Sequence, residues 1–253
     1  MKPAIPLLLL AAASTCPAAS VFFSQAVNAS GTLVPGGMFG TSTLPIYAPI
    51  RETAGSEILG YAEVTLGSSN GQNLTFPRTD GTDTYIYQQV NAGVNAFAEL
   101  NFRFVAANGG GTPVPGTTIG VSELYVRVDG RGATTGGGFV TAEETNTLTL
   151  TGSQPATWEV ESDLGIVTDN ISGNMLEYSV SETLNTPSQF IRWRAFDAEG
   201  DESITGFVWR LDNNGGSNNA THLQLDLSPV PEPSSVLIAG AGLVIAGLRR
   251  RRH

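Results

Sequence analysis

The chain has 253 residues, 41% hydrophobic and 14% charged, with 13 basic against 23 acidic side chains and a formal net charge of −10. That length buries a core without cross-links, and the lone cysteine, Cys16, excludes a disulfide framework and a multi-cysteine zinc site. The acidic balance argues against nucleic acid and anionic membrane surfaces as partners.

The first residues read as a signal peptide. Met1-Lys2 is a minimal basic region, residues 5–13 form a short apolar run around Leu7-Leu8-Leu9-Leu10, and Ala18-Ala19-Ser20 offers small residues for cleavage after Ser20 or Ala19. Cys16 invites a lipoprotein reading. Yet no aliphatic residue stands three positions before it, and Pro17 follows it, so ordinary cleavage with a leader of residues 1–20 is expected. Residues 21–228 then form the body. It is free of cysteine and lysine, with eight arginines against 22 acidic residues, a formal charge of −14.

Along the body the dominant period is two. Residues 21–54, rich in Gly, Pro, Ser and Thr, read as a leading strand or two with a loop. Beyond them Ala98, Leu100, Phe102 and Phe104 alternate with Glu99, Asn101 and Arg103, and Leu124, Val126 and Val128 with Glu123, Tyr125 and Arg127. The beat recurs in Trp158/Val160, Leu176/Tyr178/Val180, Ile191/Trp193/Ala195, Phe207/Trp209/Leu211 and Leu223/Leu225/Leu227. Alternation over short runs places one face in a core and the other in water, as in antiparallel sheet. Gly- and Asn-rich punctuation lies between the runs, no long amphipathic helix competes, and no internal repeat is evident. The expectation is an all-β, antiparallel β-sandwich of jelly-roll type, one domain over residues 21–228. From Ala98 to Glu144, the order of strand, Gly/Pro loop, strand ending at Val128-Asp129-Gly130 and acidic Glu143-Glu144 resembles jelly-roll domains of bacterial surface adhesins. That resemblance implies one continuous sandwich and an adhesive role.

Catalytic chemistry finds little purchase. The body's one histidine, His222, falls on the polar phase of its strand and reads as a solvated edge residue; no nucleophile elbow accompanies it. Gly130-Arg131-Gly132 and Gly136-Gly137-Gly138 lack the following helix that a phosphate cradle needs and read as turns. Asp197-Ala198-Glu199-Gly200-Asp201-Glu202 puts four carboxylates in one turn, so calcium is the one metal whose chemistry the chain suits, although nothing requires a cofactor. All three tryptophans fall on the core phase, while Tyr125 and Tyr61 fall on the opposite one, toward water. The expectation is a protein that is not an enzyme. The alternative is a secreted carbohydrate-binding module or a glycoside hydrolase, which needs only two carboxylates.

The tail is the most specific segment. Val230-Pro231-Glu232-Pro233-Ser234-Ser235 leads into an apolar run, residues 236–248, that stops at Arg249, Arg250, Arg251, Arg252 and His253. As a helix that run is roughly 20 Å long against about 30 Å of hydrocarbon, and Gly240, Gly242 and Gly247 weaken it further. The arginines fix its cytoplasmic end. The Pro231-Glu232-Pro233 turn, the short C-terminal hydrophobic helix and the arginine stop resemble the PEP-CTERM sorting signal. That resemblance implies recognition by an exosortase, transient insertion in the inner membrane, and delivery to the cell surface or medium, often within an exopolysaccharide layer. Exosortase and extracellular polysaccharide are the partners it suggests, with residues 229–253 as the sorting tail.

Overall fold

A computed structural model describes residues 19–34, 45–70, 74–78, 85–90, 95–129, 144–152, 155–162, 165, 167–180, 190–201, 203–213 and 219–228. The expectations for residues 1–18, for the glycine turns at 130–138, for Glu143 and Glu202, and for the tail with Pro231, Glu232, Pro233 and Arg249, Arg250, Arg251, Arg252 lie outside the described residues.

The architecture is all-β and antiparallel, as the alternation required. The strands are β1 (Ala19–Val21), β2 (Ile46–Arg51), β3 (Gly60–Ser69), β4 (Leu74–Arg78), β5 (Tyr85–Val90), β6 (Ala96–Ala107), β7 (Pro113–Thr118) and β8 (Glu123–Asp129). They continue with β9 (Glu144–Gly152), β10 (Thr157–Ser162), β11 (Val167–Ser172), β12 (Met175–Val180), β13 (Phe190–Phe196), β14 (Ile204–Asn213) and β15 (Asn219–Ser228). A single 3₁₀ turn, Phe23–Gln25, is the one helical element among the described residues.

All fifteen strands belong to one sheet, ordered β10-β13-β8-β15-β1-β2-β3-β6-β14-β9-β12-β11, with β5 beside β15, β4 beside β5 and β7 beside β6. The sheet is rolled nearly into a barrel, so the two layers of the expected sandwich are opposing walls of one continuous surface. Side chains draw its two ends together. The Trp158 indole of β10 donates to the Asn174 carbonyl at 3.1 Å, and the Ala156 amide donates to Asn174 Oδ1 at 2.9 Å, both at the turn joining β11 to β12. The Trp193 indole of β13 reaches Asp169 Oδ2 of β11 at 3.0 Å.

The inward phase of nearly every strand meets in one core. Its middle is aromatic: Phe102 stacks on Phe207 at 4.4 Å, Phe23 meets Phe102 edge-on at 6.3 Å, and Tyr178 stacks on Trp193 at 4.4 Å across the interior. Burying such rings supplies most of the driving force for closure. A bulge where β14 meets β9 shifts register between Ile204 and Gly206. There a Cβ on Gly206 would lie 2.1 Å from the Phe102 carbonyl oxygen, so only glycine fits.

Three sequence expectations need correction. Tyr61 does not face water: it is buried with Tyr47 and Val105 in a second core on the outer side of β2, β3 and β6, packed by Val27, Ile58 and Ala107. Its hydroxyl donates to the Gly111 carbonyl. His222 is not a solvated edge residue: it is 4% exposed, on a strand flanked by β5, β8 and β1, with its ring 4.6 Å from that of Tyr85. Val160 shares an alternation with Trp158 and pairs with buried Trp193 but is 42% exposed, because β10 is the outermost strand at that end of the sheet.

Candidate functional site

Strand registers define two poles. At one, Glu144 pairs with Asn213, Asn213 with Ala96, Asn219 with Val90, and Phe190 with Asp129. At the other, Ser228 pairs with Glu123, Phe196 with Glu123 and Thr157, and Leu227 with Ala19.

The first pole holds an interior polar nest. Inward positions on β9 change from Leu150 and Leu148 to Asn146 and Glu144, and every one of them is buried. β15 changes from Leu223 to Thr221 and β5 from Ile86 to Gln88, and Thr221 and Gln88 lie directly opposite one another. The Thr221 hydroxyl donates to Glu144 Oε2 at 2.8 Å and accepts from Asn146 Nδ2 at 3.2 Å; Asn146 Oδ1 accepts from the Trp209 indole at 2.9 Å. β15 and β9 are not sheet neighbours, so the Thr221–Glu144 bond crosses the interior. Tyr178, opposite Asn146 in register, is fully buried; burial, then the Glu144 charge, push its phenol well above the ordinary value. Neither the Tyr178 hydroxyl nor the Gln88 amide, itself 2% exposed, finds a hydrogen-bond partner among the described residues. Sequence reading passed over this nest because it assumed an apolar inward phase; the signal was Glu144 and Asn146 standing in step with Leu148 and Leu150.

The second pole carries the acidic turn. Asp197 directs both carboxylate oxygens onto its own turn, accepting from the Glu199 amide at 3.0 Å and the Asp201 amide at 3.0 Å. Those amides, led by that of Glu199, together with Ser203 hold its carboxyl below the ordinary range against the opposing effect of burial. The first of the four carboxylates is thereby committed to shaping the turn. Among the described residues no group of three or more metal-ligating side chains gathers.

Outside the barrel, charge and aromatic side chains are paired. Across β2, β3 and β6 the opposed residues Tyr47, Glu63 and Arg103 form a rung: the Tyr47 hydroxyl donates to Glu63 Oε1 at 2.8 Å and Arg103 Nε to Oε2 at 2.7 Å. Burial, then the hydrogen bond to Glu63 and its charge, push the Tyr47 phenol up to about 12. Tyr125 is half-buried, its ring covered by the Arg192 guanidinium at 4.4 Å and its hydroxyl donating to Glu123. Phe97 is likewise capped by Arg210 at 3.7 Å. Neither ring is the bare platform a sugar would stack upon. The tryptophans on the expected core phase, Trp158, Trp193 and Trp209, are all buried.

The second pole is also where the body hands over to the tail. β15 ends at Ser228, whose carbonyl accepts from the Ser122 hydroxyl at 3.2 Å. Residues 229–252, directly after it, match the family model of the PEP-CTERM protein-sorting motif. The chain carries a PEP-CTERM sorting motif. The match spans the Pro231-Glu232-Pro233 sequence, the apolar run and the arginine cluster through Arg252. The PEP-CTERM motif implies export to the cell surface and processing by an exosortase. No curated protein matches the chain. Among solved structures, a chain from "Structure of infectious bursal disease virus Gt strain" is 12% identical over 85% of this chain and 60% of its own length, at a TM-score of 0.09. That value carries no structural argument. No helix among the described residues is long and apolar enough to cross a membrane.

Proposed function

We propose that this protein is a non-catalytic structural or adhesive component of an extracellular polysaccharide layer. It enters the secretory route on its N-terminal leader and rests transiently in the inner membrane through residues 236–248. Exosortase then releases it. The observation that carries this reading is the junction at Ser228: the last strand ends where the sorting motif begins. A cut within the motif therefore spares every strand. The body's formal charge of −14, with no lysine, suits solubility in a hydrated glycan matrix. Its single histidine packs on Tyr85 in a buried position, which supports a role without a Ser/His/Asp base.

The test is fractionation of the producing cells with intact-mass measurement. The expected result is a surface or extracellular form lacking Arg249–Arg252 that washes out when the polysaccharide is digested. A variant with Pro231, Glu232 and Pro233 all changed to alanine should remain in the inner membrane with its arginines attached. A native protein stably embedded with its tail intact contradicts the transient anchor. A surface form indifferent to polysaccharide removal contradicts the matrix role.

A further inference from the structure

Strand β1 is three residues long and is the one strand that joins the two halves of the sheet among the described residues; the isolated Val121–Ile204 bridge is a further backbone link between them. On one side lie β10, β13, β8 and β15 with β5 and β4; on the other lie β2, β3, β6, β14, β9, β12 and β11 with β7. Ala19 pairs with Leu227 and Ser20 with Asp226 on the β15 side, while Ser20 pairs with Arg51 and Val21 with Ile50 on the β2 side. Ala19 and Val21 are fully buried in the core, and the Ser20 hydroxyl donates to Asp226 Oδ1 at 2.6 Å. Along β15, strand β5 covers residues 219–224 and β1 takes over at Asp226, so nothing else described supplies those partners.

The leader boundary read from sequence cuts through this seam. Cleavage after Ser20 removes both residues that pair with β15 and leaves Val21 with Ile50 as its one partner. Cleavage after Ala19 still strips Leu227. Each loss exposes backbone groups of β15, and the cut after Ser20 those of β2 as well, that were paired inside a sheet. We propose that the signal peptidase site is the Ala18–Ala19 peptide bond, so that β1 is retained whole as the mature N-terminus. Water adds across that bond, leaving a carboxylate on Ala18 and an ammonium on Ala19, with no further co-reactant. The local sequence suits the enzyme: Ala18 is the last leader residue and Cys16 stands third from last, both small. A cut after Ala13 would also spare β1, but it falls at the edge of the apolar run that must sit in the membrane during cleavage. Cys16 and Pro17 leave with the leader, and the mature chain carries no thiol.

This inference rests on the export reading. The test is N-terminal sequencing and intact mass of the full chain recovered after export from a secretory host. Ala19 as first residue, with no titratable thiol, is expected. Ser14, Ser20 or Val21 as first residue, or an acylated Cys16, overturns the assignment while leaving export intact. A chain in the cytosol still beginning at Met1 overturns the export reading itself. Ala18→Leu should cost most of the mature form, the chain accumulating with its leader attached; unchanged processing of that variant overturns the assignment as well.

Discussion

The middle of the barrel and its tail-distal pole are built from the same strands in the same inward phase, yet they follow opposite chemistry. In the middle, Phe102 meets Phe207 and Trp209 ring on ring, and Trp193 stacks on Tyr178. One or two inward positions along, Thr221, Asn146 and Glu144 take over and hydrogen-bond across the interior. Facing inward therefore fixes burial but not polarity. A polar group is admitted where a second wall supplies its partner, and the cost of its desolvation then turns on that partner.

The largest test of this contrast is Trp209→Ala. It removes a fully buried ring and orphans the Asn146 carbonyl, so a loss of about 3–5 kcal/mol is expected by denaturant titration. A loss below that of an ordinary surface change would mean the middle is loosely packed. Next, Thr221→Val keeps the shape but strips Glu144 Oε2 of its donor and Asn146 Nδ2 of its acceptor, which should cost about 1–3 kcal/mol. Pairing it with Glu144→Leu should lose less than Thr221→Val alone, since the buried carboxylate is then gone and only Asn146 Nδ2 is left without its Thr221 acceptor. If the double change costs the sum of the two single ones, the nest is not a coupled unit.

Smaller effects separate interior from exterior. The Tyr47 phenol, at about 12 in the fold against 10.0 ordinarily, gives stability that is complete below about pH 10 and lost as pH rises toward 12. Tyr47→Phe should cost about 1 kcal/mol at neutral pH and flatten the alkaline limb of a melting-temperature profile. The raised phenols of Tyr61, Tyr125 and Tyr178 should preserve part of that limb. Asp197 works in the opposite sense: its lowered carboxyl gives stability present above the ordinary carboxylate range and lost as pH falls through its folded value. Asp197→Asn should therefore cost no more than about 1 kcal/mol at neutral pH and shrink the acid limb. An unchanged limb would remove the turn-shaping account.

Most strands were legible because each carries its own alternation, which needs no knowledge of neighbours. Leu223, Leu225 and Leu227, or Ile191, Trp193 and Ala195, announce their buried face locally, and all are buried. Where a second layer covers the outer face, the rule gave the wrong side. Tyr61 lies under Val27 and Ile58, residues more than 30 positions and three positions away along the chain, and only the rolled sheet brings the farther one there. His222 failed because its strand lies inside the sheet, flanked by β5, β8 and β1, with the Tyr85 ring against it. Glu144 and Thr221 were missed because their partnership is a contact across the lumen, invisible to any single strand's pattern. The tail was readable as a linear label, since its recognition depends on order and not on fold.

Ala19 beside Leu227 also places the chain's way in and way out next to each other. On the proposed export route, a molecule still held at both extremities would hang from two adjoining stems with its Glu144 pole on the far side. The two proposed cuts would then fall at one base.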